Sequence, residues 1–146
     1  MHLRPRIWVA IIAAGWLVML APVAVPASFW FKVDRVYVHD AVDGSTPLME
    51  VDRTIVRPFH GRWIATVLRK NHRGTYATFC TAVGANDYRP GNMLPDMVDL
   101  NWWTWPTRCI LPPGTYFLNT VWTIDAPFFP DKEVRISSNA FEITPD

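Results

Sequence analysis

Two tryptophans, a carboxylate and an amide lie close together in the run MVDLNWWTW, and their side chains are suited to binding a ligand. If this run is a strand, Asp99, Asn101, Trp103 and Trp105 share one face, because successive side chains of a strand alternate. Aromatic rings beside carboxylate and amide groups stack on sugar rings, and they also anchor protein interfaces. We therefore predict that these four residues bind a protein or a glycan. The alternative is that both rings pack within the domain.

The sequence lacks the common catalytic and metal-binding motifs. It contains no GxSxG elbow, no HExxH, no P-loop and no Rossmann glycine pattern. His39 precedes Asp40 and resembles an oriented base, but no nucleophile is marked out to serve it. The turn DAVDGS resembles a fragment of a calcium loop, but it lacks the ligand spacing and the distal Glu. We expect no enzyme activity, no cofactor and no bound metal.

Cys80 and Cys109 are the two cysteines of the chain. Neither belongs to a CxxC pair, and no histidine follows at ligand spacing, so a zinc site is not indicated. In an oxidising compartment we expect a disulfide between them. It would close a loop of about 29 residues. A pair of free buried thiols is the alternative.

An uncharged apolar run from Ile7 to Phe31 precedes all of these residues. As a helix it would be roughly 37 Å long, which exceeds the bilayer hydrocarbon thickness of about 30 Å. Arg4 and Arg6 lie before the run, so we expect the N-terminus in the cytoplasm and the C-terminal part outside. The aromatic cluster Phe29–Phe31 is typical of an interfacial belt at the outer surface of the membrane.

The apolar run is either a retained anchor or a cleaved signal. Val25-Pro26-Ala27 resembles a cleavage site, and cleavage after Ala27 would release the domain. The run is longer than the apolar core of about 7–15 residues in cleavable signals, and Pro26 fits such a site poorly. We therefore prefer a signal anchor in the inner membrane, with residues 1–31 as the cytoplasmic tip and transmembrane helix and 32–146 as the exported domain.

The exported part reads as one all-β domain. Of the fourteen Lys and Arg residues, Arg4 and Arg6 precede the apolar run, and the rest nearly balance thirteen Asp and Glu. No basic patch dominates, so nucleic acid is not an expected partner. Short β-prone segments alternate with turn residues, which favours an immunoglobulin-like antiparallel β-sandwich. The predicted strands are 33–39, 48–56, 62–69, 75–82, 97–105, 115–124, 133–137 and 139–143, with an irregular stretch at 83–95.

The combined pattern of DAVDGSTPLMEVDRTI, FHGRW, LNWWTWPTRC, LPPGTYFLNTVWTI and VRISSNAFEI behind one apolar run resembles small single-pass membrane proteins of phage and prophage genomes. The resemblance implies a β-sandwich held outside the inner membrane, and it transfers no catalytic residues. We expect a membrane-anchored binding module with a protein or glycan partner and a phage or envelope setting. The alternative is a secreted carbohydrate-binding module released by cleavage after Ala27.

Overall fold

A computed structural model of the chain describes residues 5–91, 94–102 and 109–146. Helix α1 spans Pro5–Ala24, and a short 3-10 turn follows at Ala27–Phe29. The window Ile7–Ala24 is long and apolar enough to cross a membrane, and none of it is buried against the rest of the protein. An apolar helix left uncovered in this way fits either a membrane anchor or a signal sequence.

The rest of the described chain is mostly β and forms two sheets. The strands are β1 (Phe31–Val38), β2 (Ala41–Val42), β3 (Leu48–Ile55), β4 (Phe59–Lys70), β5 (Tyr76–Tyr88), β6 (Met97–Asp99), β7 (Gly114–Asp125), β8 (Lys132–Ser137) and β9 (Phe141–Thr144). The three-stranded sheet has the order β1-β3-β6, and the six-stranded sheet has the order β2-β9-β7-β4-β5, with β8 also paired to β7. The arrangement is sandwich-like, which confirms the predicted all-β class.

One hydrophobic core unites the inner faces of both sheets. Side chains of β7 alternate between the two faces of the sheet, and all five inward residues are buried: Tyr116, Leu118, Thr120, Trp122 and Ile124. On the three-stranded sheet, Val38, Met49 and Val98 lie at the same register and are also buried. The opposite face of β4 is open, and Ile64 on that face is 46% exposed, although the apolar residues of RWIATVLR fall on both faces of the strand.

The aromatic cluster at the end of the apolar run belongs to the domain. Trp30 and Phe31 are 4% and 1% exposed, and Phe31 packs against Phe59, Tyr88 and Trp122. The prediction of an interfacial belt is therefore wrong for Trp30 and Phe31. Phe29 retains 38% exposure. Burying two large rings in the core outweighs leaving them at a surface.

Two strand boundaries differ from the sequence prediction. β5 continues to Tyr88, because residues 83–88 pair with 59–64 of β4 without interruption, so half of the predicted irregular stretch is strand. β6 ends at Asp99 and is followed by a 3-10 turn at Leu100–Trp102. The backbone N–H of Leu100 still donates to the carbonyl of Pro47 (2.9 Å), one residue beyond the Leu48–Asp99 pair, and the 3-10 turn starts there.

The predicted disulfide is confirmed. Cys80 on β5 is bonded to Cys109, with 6.1 Å between the two Cα atoms and a sequence separation of 29. Cys109 is 8% exposed and belongs to the core cluster. The bridge joins the last strand of the six-stranded sheet to the segment that leads into β7.

Candidate functional site

The four residues predicted to bind a ligand are only partly described. Trp103 and Trp105 lie outside the described residues. Asp99 is the exposed last residue of β6. Asn101 is exposed on the following turn, where its Nδ2 donates to Oγ1 of Thr46 (3.0 Å). Because the strand ends at Asp99, strand alternation does not extend to Asn101.

A cleft of about 190 Å³ opens between the two sheets beside this turn. It takes residues from β3, β4, β5 and β7 and from the segment around β6. Its lining is Met49, Arg53, Trp63, Ala85, Asn86, Tyr88, Leu94, Val98, Trp102 and Trp122. Four of these ten side chains are aromatic, so flat rings form part of the walls, beside the polar groups of Arg53, Asn86 and Tyr88.

Arg53 supplies the positive charge of the cleft. It lies opposite Val33 in the β1–β3 ladder, two positions from Val51 and from Ile55. This register puts Arg53 on the inward face of the three-stranded sheet, where its neighbours are apolar. Its Nη2 donates to the carbonyl of Pro95 (3.0 Å). A guanidinium has five N–H donors, so further donors can serve a ligand.

Burial changes the protonation behaviour of the polar groups in the cleft. Desolvation lowers the pKa of Arg53, while the nearby charges of Tyr88 and Asp96 raise it. Arginine nevertheless stays protonated at ordinary pH. Desolvation raises the pKa of Tyr88, against the opposing effects of a hydrogen bond with Trp122 and of the Arg53 charge. At neutral pH the cleft therefore contains a partly desolvated cation beside a neutral phenol.

Two glycines make room for the aromatic walls. Trp63 lies opposite both Gly84 and Trp122 in the β4 ladders, so all three share the inner face. A Cβ at Gly84 would overlap the Trp63 ring, and a Cβ at Gly61 would lie 2.6 Å from the Tyr88 ring. The backbone of β4 and β5 is thus covered closely by rings where side chains would otherwise project.

Arg53 and the cleft were missed by the sequence analysis, although a signal was present. In LMEVDRTI, Arg53 occupies the same alternating positions as Met49, Val51 and Ile55. A charged residue in the inward-facing series of a half-buried strand is unusual and is retained only where it has a partner or a task. Chemically, the arrangement suits an anionic group at the guanidinium and a flat ring or apolar face against the indoles.

The histidine and turn residues weighed in the sequence have structural partners. Nε2 of His39 contacts Oε1 of Glu50 (2.8 Å), whereas Asp40 accepts from the backbone N–H of Glu142 (2.7 Å). Nδ1 of His60 contacts Oδ1 of Asp87 (2.8 Å) at the end of the β4–β5 ladder. Within residues 5–91, 94–102 and 109–146, no three His, Cys, Asp or Glu residues lie close enough together to hold a metal ion.

The tip of the β4–β5 hairpin carries four basic residues, Arg69, Lys70, His72 and Arg73, and they are not all solvated. Arg69 is half-buried and donates through Nη2 to the carbonyl of Pro113 (2.9 Å). Lys70, His72 and Arg73 are exposed around a turn in which Gly74 has a φ of 80°. The tip therefore has three exposed basic residues, not four.

Comparisons of this chain with protein families, with curated proteins and with solved structures gave no match. The resemblance to small single-pass membrane proteins of phage genomes therefore stays a prediction.

Proposed function

We propose that this chain is an extracytoplasmic binding module tethered by α1 to the membrane, and that the cleft at Arg53 receives an anionic group of its ligand. The observation that carries the proposal is the inward register of Arg53 among aromatic walls. A charge that is partly desolvated in the free protein loses less hydration on binding than an exposed one, so an incoming carboxylate or phosphate is favoured there.

Three features support the extracytoplasmic location. The window Ile7–Ala24 is apolar and uncovered, Arg4 and Arg6 precede it, and Cys80 is disulfide-bonded. Basic residues before a span stay in the cytoplasm, and disulfides persist in oxidising compartments. A reporter fused after Asp146 that is active only outside the cytoplasm is the expected result, and activity only in the cytosol would overturn this topology.

The cleft is tested by titrating the full chain in nanodiscs with acidic saccharides, with their neutral counterparts and with carboxylate-bearing peptides. We expect binding of an acidic member that Arg53→Met weakens at least tenfold. Arg62→Met is the matched control, because that guanidinium is exposed and pairs with Asp131 (2.6 Å) away from the cleft lining. Equal loss in both variants, or none in Arg53→Met, would remove the cleft from the function.

A secreted carbohydrate-binding module is the second candidate. It is favoured by the indoles of Trp63 and Trp102 in one cleft, because flat rings stack on sugars. Its distinguishing requirement is cleavage after Ala27, with Ser28 as the new N-terminus. N-terminal sequencing of the mature protein separates the two candidates. A product that retains residues 1–27 contradicts the secreted form.

The immunoglobulin-like topology and the phage or envelope setting are the finer parts of the same proposal. Support for the topology comes from the antiparallel pairs β1–β3, β4–β5 and β4–β7. Support for the setting comes from the sequence resemblance alone. Crosslinking in intact cells followed by identification of the captured partner tests the setting, and an envelope or virion component is the expected product.

A further inference from the structure

The loop between β7 and β8 carries an apolar side chain that nothing in the described protein covers. Phe128 is 96% exposed, and its φ of 69° lies in the left-handed region. For a phenylalanine, exposure of the ring to water is energetically unfavourable, and so is this backbone conformation, which glycine and asparagine adopt more readily. The adjacent Phe129, by contrast, packs edge-on against Trp30 with 4.9 Å between ring centroids.

This loop lies beside the end of the helix that we propose to span the membrane. Nζ of Lys132, at the start of β8, donates to the carbonyl of Val23 in the last turn of α1 (2.7 Å). Phe129 contacts Trp30, which follows the 3-10 turn after the helix. Phe128 therefore lies immediately before two residues of the same loop region, Phe129 and Lys132, that contact the helix exit.

Cations surround the same exit. The Arg57 guanidinium lies 3.5 Å from the Phe29 ring centroid and donates to the Phe29 carbonyl (2.8 Å). Of the acids in the loop region, Asp131 is paired with Arg62 (2.6 Å), while Asp125 is exposed. Lys132 and Arg57 thus both lie beside the helix exit, and anionic headgroups attract basic residues near a membrane surface.

We infer that Phe128 inserts into the headgroup–acyl boundary of the bilayer and forms, with Lys132 and Arg57, a second membrane contact of the domain. Apolar rings flanked by cations are the side chains that interfacial segments place at this depth. This inference rests on the proposed membrane anchor, and it assigns the aromatic interface role that Trp30 and Phe31 do not fill.

Spin labels on the full chain test the inference. The variants Phe128→Cys, Leu17→Cys and Val83→Cys are labelled with the native disulfide intact and reconstituted in vesicles of phosphatidylethanolamine with a minority of phosphatidylglycerol. Power saturation then compares accessibility to oxygen, which partitions into lipid, and to a water-soluble nickel complex. Val83 is the matched control, because it is 59% exposed on the outer face of β5.

We expect the label at 128 to behave like the label at 17, with oxygen accessibility exceeding that of the nickel complex, and the label at 83 to show the reverse. A water-like label at 128 with a lipid-like label at 17 overturns the inference and leaves the anchor intact. A label at 128 shielded from both reagents means a protein cover, which also overturns it. A water-like label at 17 overturns the anchor itself.

Discussion

The side-chain amide of Asn139 pairs with both backbone polar groups of Val38. Its Oδ1 accepts from the Val38 N–H and its Nδ2 donates to the Val38 carbonyl, both at 2.8 Å. One amide side chain thus replaces a neighbouring strand at the end of β1, and it connects the three-stranded sheet to the segment before β9. Val38 is fully buried, so neither backbone group can turn to water instead.

Asn139→Ala should therefore destabilise the domain. Two buried backbone groups lose their partners, and each unsatisfied group costs about 1–3 kcal/mol, so we expect a loss of about 2–6 kcal/mol in the free energy of unfolding. Urea unfolding of the full chain in detergent measures it. Asn119→Ala, a half-buried amide on the outer face of β7, is the control and should cost clearly less. Equal costs would mean that the pairing contributes nothing.

Gly84→Ala should also destabilise, although alanine is no worse than glycine in an ordinary strand. The added Cβ would overlap the Trp63 ring, which lies over Gly84 of β5, and would displace that ring. Overpacking of this kind costs about 1–3 kcal/mol. Thermal unfolding and the fluorescence of the displaced indole are the measurements. Val83→Ala, one position away on the exposed face, should be nearly neutral, and an unchanged unfolding temperature in Gly84→Ala would refute the close contact.

Removing the disulfide should lower the free energy of unfolding by about 3–4 kcal/mol. In the chain-entropy treatment, a bridge over a separation of 29 residues removes that much conformational entropy from the unfolded chain. The double variant Cys80→Ala/Cys109→Ala, compared with the oxidised protein in urea, provides the measurement. Oxidised protein treated with a reductant is the second comparison. Two free thiols found by labelling in protein isolated from its native compartment would contradict the bridge.

Stability should fall at alkaline pH. Burial raises the pKa of Tyr88 and of Tyr116 above the ordinary tyrosine value. As the pH rises through about 10, the two tyrosines therefore lose their protons in the unfolded chain before they do so in the folded one. Their contribution to the free energy of unfolding is complete below that pH and is lost as the pH rises through their higher pKa values in the folded protein. The midpoints of urea unfolding at pH 8 and above pH 10 test this loss of stability. The double variant Tyr88→Phe/Tyr116→Phe should flatten the decline, and an equally steep fall in that variant would assign it to other groups.

The alternation of apolar and polar residues along the strands made much of the fold predictable from sequence. The inward series of β7 and the β4–β5 hairpin at Gly74 follow local rules, and both are present as predicted. The end of β5 was not predictable, because VGANDY has no alternation of its own. Residues 83–88 form a strand since β4 already offers a full partner edge. The end of β6 at Asp99 was also not predicted, because MVDLNWWTW continues to alternate beyond it.

The candidate site was harder to predict because it consists of residues far apart in the chain. Arg53 stands out in its own segment only as a charge in an apolar alternating series, Trp122 does not stand out at all, and only packing of the two sheets brings them to one cleft. The tryptophan-rich run contributes Trp102 to the cleft lining, whereas binding by Asp99, Asn101, Trp103 and Trp105 stays a prediction. The sequence analysis did not assign a role to Arg53.

The short connection between α1 and β1 limits where this protein can act. Six residues, Val25–Trp30, separate helix from strand, a span of about 20 Å even if fully extended, and the contact of Lys132 with Val23 shortens it further. With α1 in the bilayer, the domain can contact ligands only within roughly one domain diameter of the membrane surface, about 30–40 Å. Its target must therefore come to the lipid surface, and a ligand fixed in a distant layer would never be met.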